Sequence, residues 1–328
     1  MDNLLVVSSS PHDHSPLTTQ KVMALVLLAL VPAGLTGVYY FGARVLLVMA
    51  TCIFSCMASE FLWCYFTKKP HTIADLSACV TGLLLAYNLP PSIPLWICAV
   101  GSAFALIIVK ELFGGLGCNI VNPALAARAA MLTSWPVAMT TWTSPKVASI
   151  ISSATQHGLD AVSSATPMAL LKNSLDSQLP RKLYMLIGKT GGCIGETSEI
   201  AIIIGGLFLL YKDVIKIHIP LFYVLTVFIF TSIFDDIPAI YHIMNGGLLL
   251  GAVFMATDYV TSPVTKKGQI IFAIGCGLLT SIIRMWGAYP EGASYSILIM
   301  NLTVPLIDRI TRPRIFGEKR GEKGGKDA

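Results

Sequence analysis

Val22–Phe41, VMALVLLALVPAGLTGVYYF, runs twenty residues without a charge, and after Gly42-Ala43-Arg44 a second run, Val45–Phe66, VLLVMATCIFSCMASEFLWCYF, carries one, Glu60. An α-helix rises about 1.5 Å per residue, so each run covers the roughly 30 Å hydrocarbon thickness of a bilayer. The pattern continues outward from this pair. Ala74–Leu89 stops at Pro90 and Pro91, Ile93–Phe113 follows, and Ala124–Trp135 is a short small-residue helix holding Arg128. Beyond a polar stretch rich in Ser, Thr, Lys and Gly come Ile200–Tyr211, Ile217–Phe234, Tyr241–Thr257, Gln269–Trp286 and Ala293–Ile307.

Composition agrees with this reading. The 328 residues are 54% hydrophobic and 12% charged, about half the charge of an average soluble domain, with a mean hydropathy of +0.70. A soluble two-domain enzyme, a disordered chain and a disulfide scaffold are excluded. The expected fold is an all-α polytopic membrane protein of about ten transmembrane helices. Its parts are a cytoplasmic arm over 1–20, a five-span unit over 21–135, an extracytoplasmic segment over 136–195, a second five-span unit over 196–309 and a basic tail over 310–328. A second copy of an odd-numbered unit enters the membrane the other way up, which predicts two inverted five-helix repeats. Gly82-Leu83-Leu84-Leu85 is echoed by Gly247-Leu248-Leu249-Leu250, Pro94 by Pro263, and Lys110 by Arg284.

Charge placement orients the chain. With both termini in the cytoplasm, the inner connections hold Lys68, Lys69, Lys110, Lys212, Lys216, Lys266 and Lys267, while the outer ones hold Arg44, Asp235, Asp236 and Arg284 with Glu291, the sense of the positive-inside rule. Seven of the 23 basic residues lie from Arg309 onward, a tail suited to anionic lipid headgroups and poor in the interleaved aromatics that a nucleic-acid site needs. The arm lacks a basic n-region and a cleavage site, which argues against a signal peptide. The eight cysteines form no CxxC pair, and the six histidines show no HxxxH or HxxE pattern, so no metal or iron–sulfur site is expected.

Within the polar stretch Ser-Ser-Ala-Thr occurs at Ser152–Thr155 and again at Ser163–Thr166, and the second copy sits in the string Asp160-Ala161-Val162-Ser163-Ser164-Ala165-Thr166. A bare Ser/Thr tetrapeptide reads as loop. The longer string resembles the D-x-x-[ST]-G-A-T motif at which a flavin transferase esterifies FMN to a threonine hydroxyl, with Ser164 where the motif usually has Gly. Together with the ten spans and Phe113-Gly114-Gly115-Leu116-Gly117-Cys118-Asn119-Ile120-Val121-Asn122-Pro123, it makes the chain similar to the family of Rnf-complex D subunits and their relatives, the B subunits of Na⁺-translocating NADH:quinone oxidoreductases. The likeness covers about Lys21 to Arg314.

That resemblance implies a membrane flavoprotein of the bacterial inner membrane, part of an ion-translocating ferredoxin:NAD⁺ oxidoreductase. It implies covalent FMN on Thr166, flanked by Asp160, Ser163 and Ala165, a non-covalent riboflavin, a flavin transferase during maturation, and other subunits as partners. No catalytic acid, base or nucleophile is required of this chain. The segment carrying Gly115, Gly117, Asn119 and Asn122 is the candidate riboflavin site, because glycines admit a flat ring and each Asn amide offers a donor and an acceptor. The same residues also read as a helix break capped by Asn. Of the ionisable residues in or beside the spans, Glu60, Asp75, Lys110, Glu111, Arg128, Asp235, Asp236, Asp258 and Arg284, Asp75 and Asp258 are the candidates for an ion path because they lie near the ends of corresponding spans. Two other classes remain open: a small-solute channel of the urea-transporter type, which shares the ten-span inverted plan, and a cofactor-free scaffold.

Overall fold

The structure is a computed structural model that describes residues 18–68, 72–143, 182–188, 190–235, 237–287 and 292–313. Thirteen helices and no strand appear among them. The first half contributes α1 (Thr19–Phe41), α2 (Arg44–Thr67), α3 (Ser77–Tyr87), α4 (Leu95–Ala103, continued by a π-helical turn over Phe104–Glu111) and α5 (Pro123–Ser134). Short helices α6 (Pro136–Thr140) and α7 (Lys182–Ile187) follow. The second half contributes α8 (Glu199–Tyr211), α9 (His218–Phe234), α10 (Ala239–Ile243), α11 (Leu248–Leu250, continued by a π turn over Gly251–Met255), α12 (Lys266–Trp286) and α13 (Ala293–Thr311).

This is an all-α polytopic membrane protein. Three described helices, α1, α2 and α12, are each long and apolar enough to cross a bilayer, and α3, α8 and α9 are shorter apolar helices. Their outer faces carry Leu28, Leu35 and Tyr39 on α1, Phe54 and Phe61 on α2, and Leu225 and Phe228 on α9, all exposed. Helices apolar on the outside as well as inside are at home in lipid. The core, by contrast, holds charge: Glu60, Lys110, Glu111, Arg128, Glu199 and Arg284 are all buried.

Sequence and structure differ most at the third span of each half. The run expected from Tyr241 to Thr257 is not one helix. It breaks over Met244–Gly247, where Gly246 and Gly247 take φ of 69° and 64°. No right-handed helix continues through left-handed residues. In the first half Ile73–Asp75 forms one 3₁₀ turn, Leu76 takes φ 64°, and α3 starts at Ser77. A half-helix therefore begins just after a left-handed residue in each half.

Packing follows the two halves. α2 lies against α3 and α4, α9 lies against α10 and α12, and α1 packs on α8 across the halves. Close approaches are cut to glycine where they are tightest: a Cβ on Gly82 would meet the Cys52 backbone at 2.8 Å. The end of the polar segment tucks inward. Ile194 is fully buried and its N–H donates to the Leu89 carbonyl at 3.1 Å.

Candidate functional site

At the bundle end where α1 begins, a cavity of about 870 Å³, open mouth included, lies between the halves. Its apolar walls include Val26 of α1, Leu84 of α3, Leu209 of α8 and Phe254 of the second π turn. Ser77, Lys110, Asn119, Asn122 and Asp258 place polar atoms on the same walls. An apolar cleft with a few polar groups on its walls is the usual form of a site for a small organic ligand.

The loop that closes the cavity is set by its glycines. Gly114, Gly115 and Gly117 have φ of 124°, 92° and 90°, conformations that only glycine adopts without strain. Leu116 lines the cavity while Gly115 and Gly117 do not. They shape the turn, and a Cβ on Gly117 would meet nothing within 4 Å.

The two asparagines have different work. Asn122 is the N-cap of α5: its Oδ1 accepts from Ala124 N at 3.1 Å and Leu125 N at 3.3 Å, its Nδ2 donates to the Met255 carbonyl at 3.3 Å, and Pro123 takes the first helical position. That is the cap geometry expected of Asn followed by Pro, and it ties the loop to the second half. Asn119 makes one long bond, Nδ2 to the Val121 carbonyl at 3.4 Å. Most of its amide capacity remains for a guest.

Asp258 follows the second π turn and accepts from Thr261 Oγ1 at 3.1 Å. Burial pushes its carboxyl above the ordinary carboxylate range, against the pull of the Thr261 hydroxyl. Asp75 stands one bond behind the wall. Its Oδ1 accepts from the N–H and hydroxyl of Ser77 at 2.8 and 2.6 Å. The Ser77 hydroxyl in turn accepts from Lys110 Nζ at 2.7 Å. Lys110 also bonds Glu60 Oε1 at 3.2 Å and lies 3.9 Å from Glu111 Oε1.

A second polar cluster occupies the other end of α8. Arg284 donates to the carbonyls of His242, Asn245 (2.8 Å) and Gly246 (3.1 Å), the free carboxyl end of α10. The N–H groups of Gly246 and Gly247 face Glu196. Both half-helix ends thus meet opposite charge, as the macrodipole requires. Arg128 joins the halves, donating to Asn88 Oδ1 at 3.2 Å and Ser294 Oγ at 2.8 Å. His242 Nε2 stands 3.1 Å from Asp235 Oδ2, although without hydrogen-bond alignment.

Of the expected site residues, then, Asn119, Asn122 and Asp258 share one cavity and Asp75 adjoins it. Asp160, Ser163, Ala165 and Thr166 lie outside the described residues. Lys110 and Ser77 emerge as cavity residues, Glu199 as a buried acid and Glu196 as a partly buried one, none of which sequence reasoning assigned to a site. A signal existed for the glutamates: two acids immediately ahead of the apolar run from Ile200.

The fold and the cavity define a polytopic α-helical membrane protein with an apolar cleft, polar groups on its walls, between its two halves. Residues 6–317 match the NQR2, RnfD, RnfE family, and the chain belongs to that family. It is 50% identical over 324 residues, 98% of each chain, to the D subunit of the Na⁺-translocating ferredoxin:NAD⁺ oxidoreductase complex of Acetobacterium woodii. It is 47% identical over 332 residues, 97% of this chain and 98% of the other, to the D subunit of the proton-translocating ferredoxin:NAD⁺ oxidoreductase complex of Clostridium ljungdahlii. The D subunit of an ion-translocating oxidoreductase complex of Stutzerimonas stutzeri is 40% identical over 92% of each chain.

Proposed function

We propose that the chain is the membrane flavin carrier of an ion-translocating ferredoxin:NAD⁺ oxidoreductase complex in the bacterial inner membrane. Both termini lie in the cytoplasm and 136–195 lies outside. The observation that carries this reading is the cavity, in family context: its lining is mostly apolar and includes Asn119, Lys110 and Asp258, a donor and acceptor set that suits the pyrimidine edge of a riboflavin. Riboflavin there and FMN esterified to Thr166 by a flavin transferase would supply the electron chemistry.

The chain's own residues then have separate tasks. Asn119 reads the ring edge, Asn122 holds the loop in place, and the aliphatic walls exclude water. Lys110 presents positive charge where negative charge develops, and Asp258 with Asp75 flanks the way of a cation. Relatives named for Na⁺ and for protons match this chain almost equally, at 50% and 47%. Overall similarity accordingly does not separate the two ions.

Two results test the reading. Flavin fluorescence should stay with the denatured, washed chain on a gel, vanish in Thr166→Ala and persist in Thr155→Ala. FMN mass on a Thr155 peptide, or on neither, defeats the assignment to Thr166, and a washed chain without flavin fluorescence restores the channel. Asn119→Leu should lose the extractable flavin and keep the covalent one. Full retention of both would place the second flavin elsewhere.

A further inference from the structure

Lys110 belongs to two neighbourhoods at once. Its side chain is 4% exposed and lines the cavity, yet its ammonium is held from behind by Ser77 Oγ at 2.7 Å and Glu60 Oε1 at 3.2 Å. Glu60 is fully buried. Its Oε1 also accepts from the Thr72 hydroxyl at 2.6 Å, while its Oε2 has no hydrogen-bond partner. A buried carboxylate oxygen left bare is costly and marks a place where something else can bind. Around the ammonium stand three carboxylates, Glu60, Glu111 and Asp75, the last reached through Ser77.

We propose that Glu60, with the hydroxyl oxygens of Thr72 and Ser77, forms a site for an alkali-metal cation that the Lys110 ammonium fills in this structure and vacates when negative charge enters the cavity. The donor set is all oxygen, which selects a hard cation over a soft one. One positive charge replaces another, so the guest is monovalent. Lysine suits the part, being a compact charge on a flexible four-carbon stem. Taking Lys110 away without a replacement would strip the fully buried Glu60 carboxylate of its counter-charge, which low-dielectric surroundings do not tolerate. An electron arriving in the cavity therefore draws the ammonium forward, and the carboxylate left behind takes a cation. The site rests on the geometry alone. Its trigger rests on the cavity's being the flavin site proposed above.

The test is thermal unfolding of the full chain in detergent, followed by tryptophan fluorescence, in choline, potassium, sodium and lithium chloride at fixed pH and ionic strength. Lys110→Met should unfold a few degrees higher in an alkali salt than in choline. The wild type and Lys110→Met/Glu60→Gln should show no such rise. Lys110→Gln, which keeps a donor toward Ser77, carries the same expectation where Lys110→Met does not fold. A rise that survives Glu60→Gln, or unfolding of Lys110→Met that answers to pH and not to alkali cations, overturns the site. In a second arm, the wild-type chain with its flavins, verified by absorbance, should gain the alkali dependence on reduction with dithionite. If Lys110→Met responds and the reduced wild type does not, the link to the cavity falls while the site stands.

Discussion

Lys110 lies against the helix break at Leu76 and Arg284 against the break at Gly246, yet they are held differently. Lys110 is bound by side chains, Glu60 and Ser77, each able to rotate. Arg284 is bound by three backbone carbonyls, those of His242, Asn245 and Gly246, which cannot move without shifting the main chain of the break itself. A planar guanidinium fixed by main chain is a rivet, and an ammonium held by rotatable groups is a latch. One architectural device thus serves support at one end of the bundle and exchange at the other. The cavity lies at the end with the latch.

The largest effect is expected of Arg284→Met. Three carbonyls inside the bundle would lose their donor, at about 1–3 kcal/mol for each group left unsatisfied. Purified yield and unfolding temperature should both collapse. Lys110→Met, where an alkali cation can stand in, should be far milder in sodium than Arg284→Met in any salt, and equal losses would erase the distinction.

A smaller effect is expected at the break itself. Gly247→Ala places a Cβ 4.0 Å from Glu196 Oε2, in open space, so its cost is the left-handed backbone alone, about 1–2 kcal/mol. Chemical or thermal unfolding measures it. Leu76 already has a Cβ at the corresponding left-handed position, with φ 64°. Leu76→Gly should leave stability within about 0.5 kcal/mol, because relief of strain offsets the lost half-buried side chain. A loss as large as that of Gly247→Ala would mean that the two breaks are not alike.

Much of this was legible in the sequence for a simple reason. Lipid demands long apolar runs, and α1, α2 and α12 announce themselves by length and hydropathy. Asn122-Pro123 also reads directly as a cap, because a cap is a local device. The breaks at Gly246 and Leu76 were hidden, since hydropathy averages over a left-handed residue without registering it. The partners of Lys110 and Arg284 were hidden for another reason. Glu60 lies fifty residues before Lys110, and no periodicity connects them. Asp75 and Asp258 were paired by repeat position, whereas folding puts Asp258 in the cavity wall and Asp75 behind Ser77.

Chain order gives the buried charges a further meaning, in the timing of membrane insertion. Translation delivers Glu60 before Lys110, and Glu196 and Glu199 before Arg284. A lone lysine or arginine is costly to insert, most of all at the centre of a span, and Arg284 is buried in the last turn of α12. Lys110 and Arg284 thus arrive after acids that are already in place, so the ribosome's direction of travel spares these two the insertion of an unmatched cation, whereas Arg128 precedes its second-half partner Ser294.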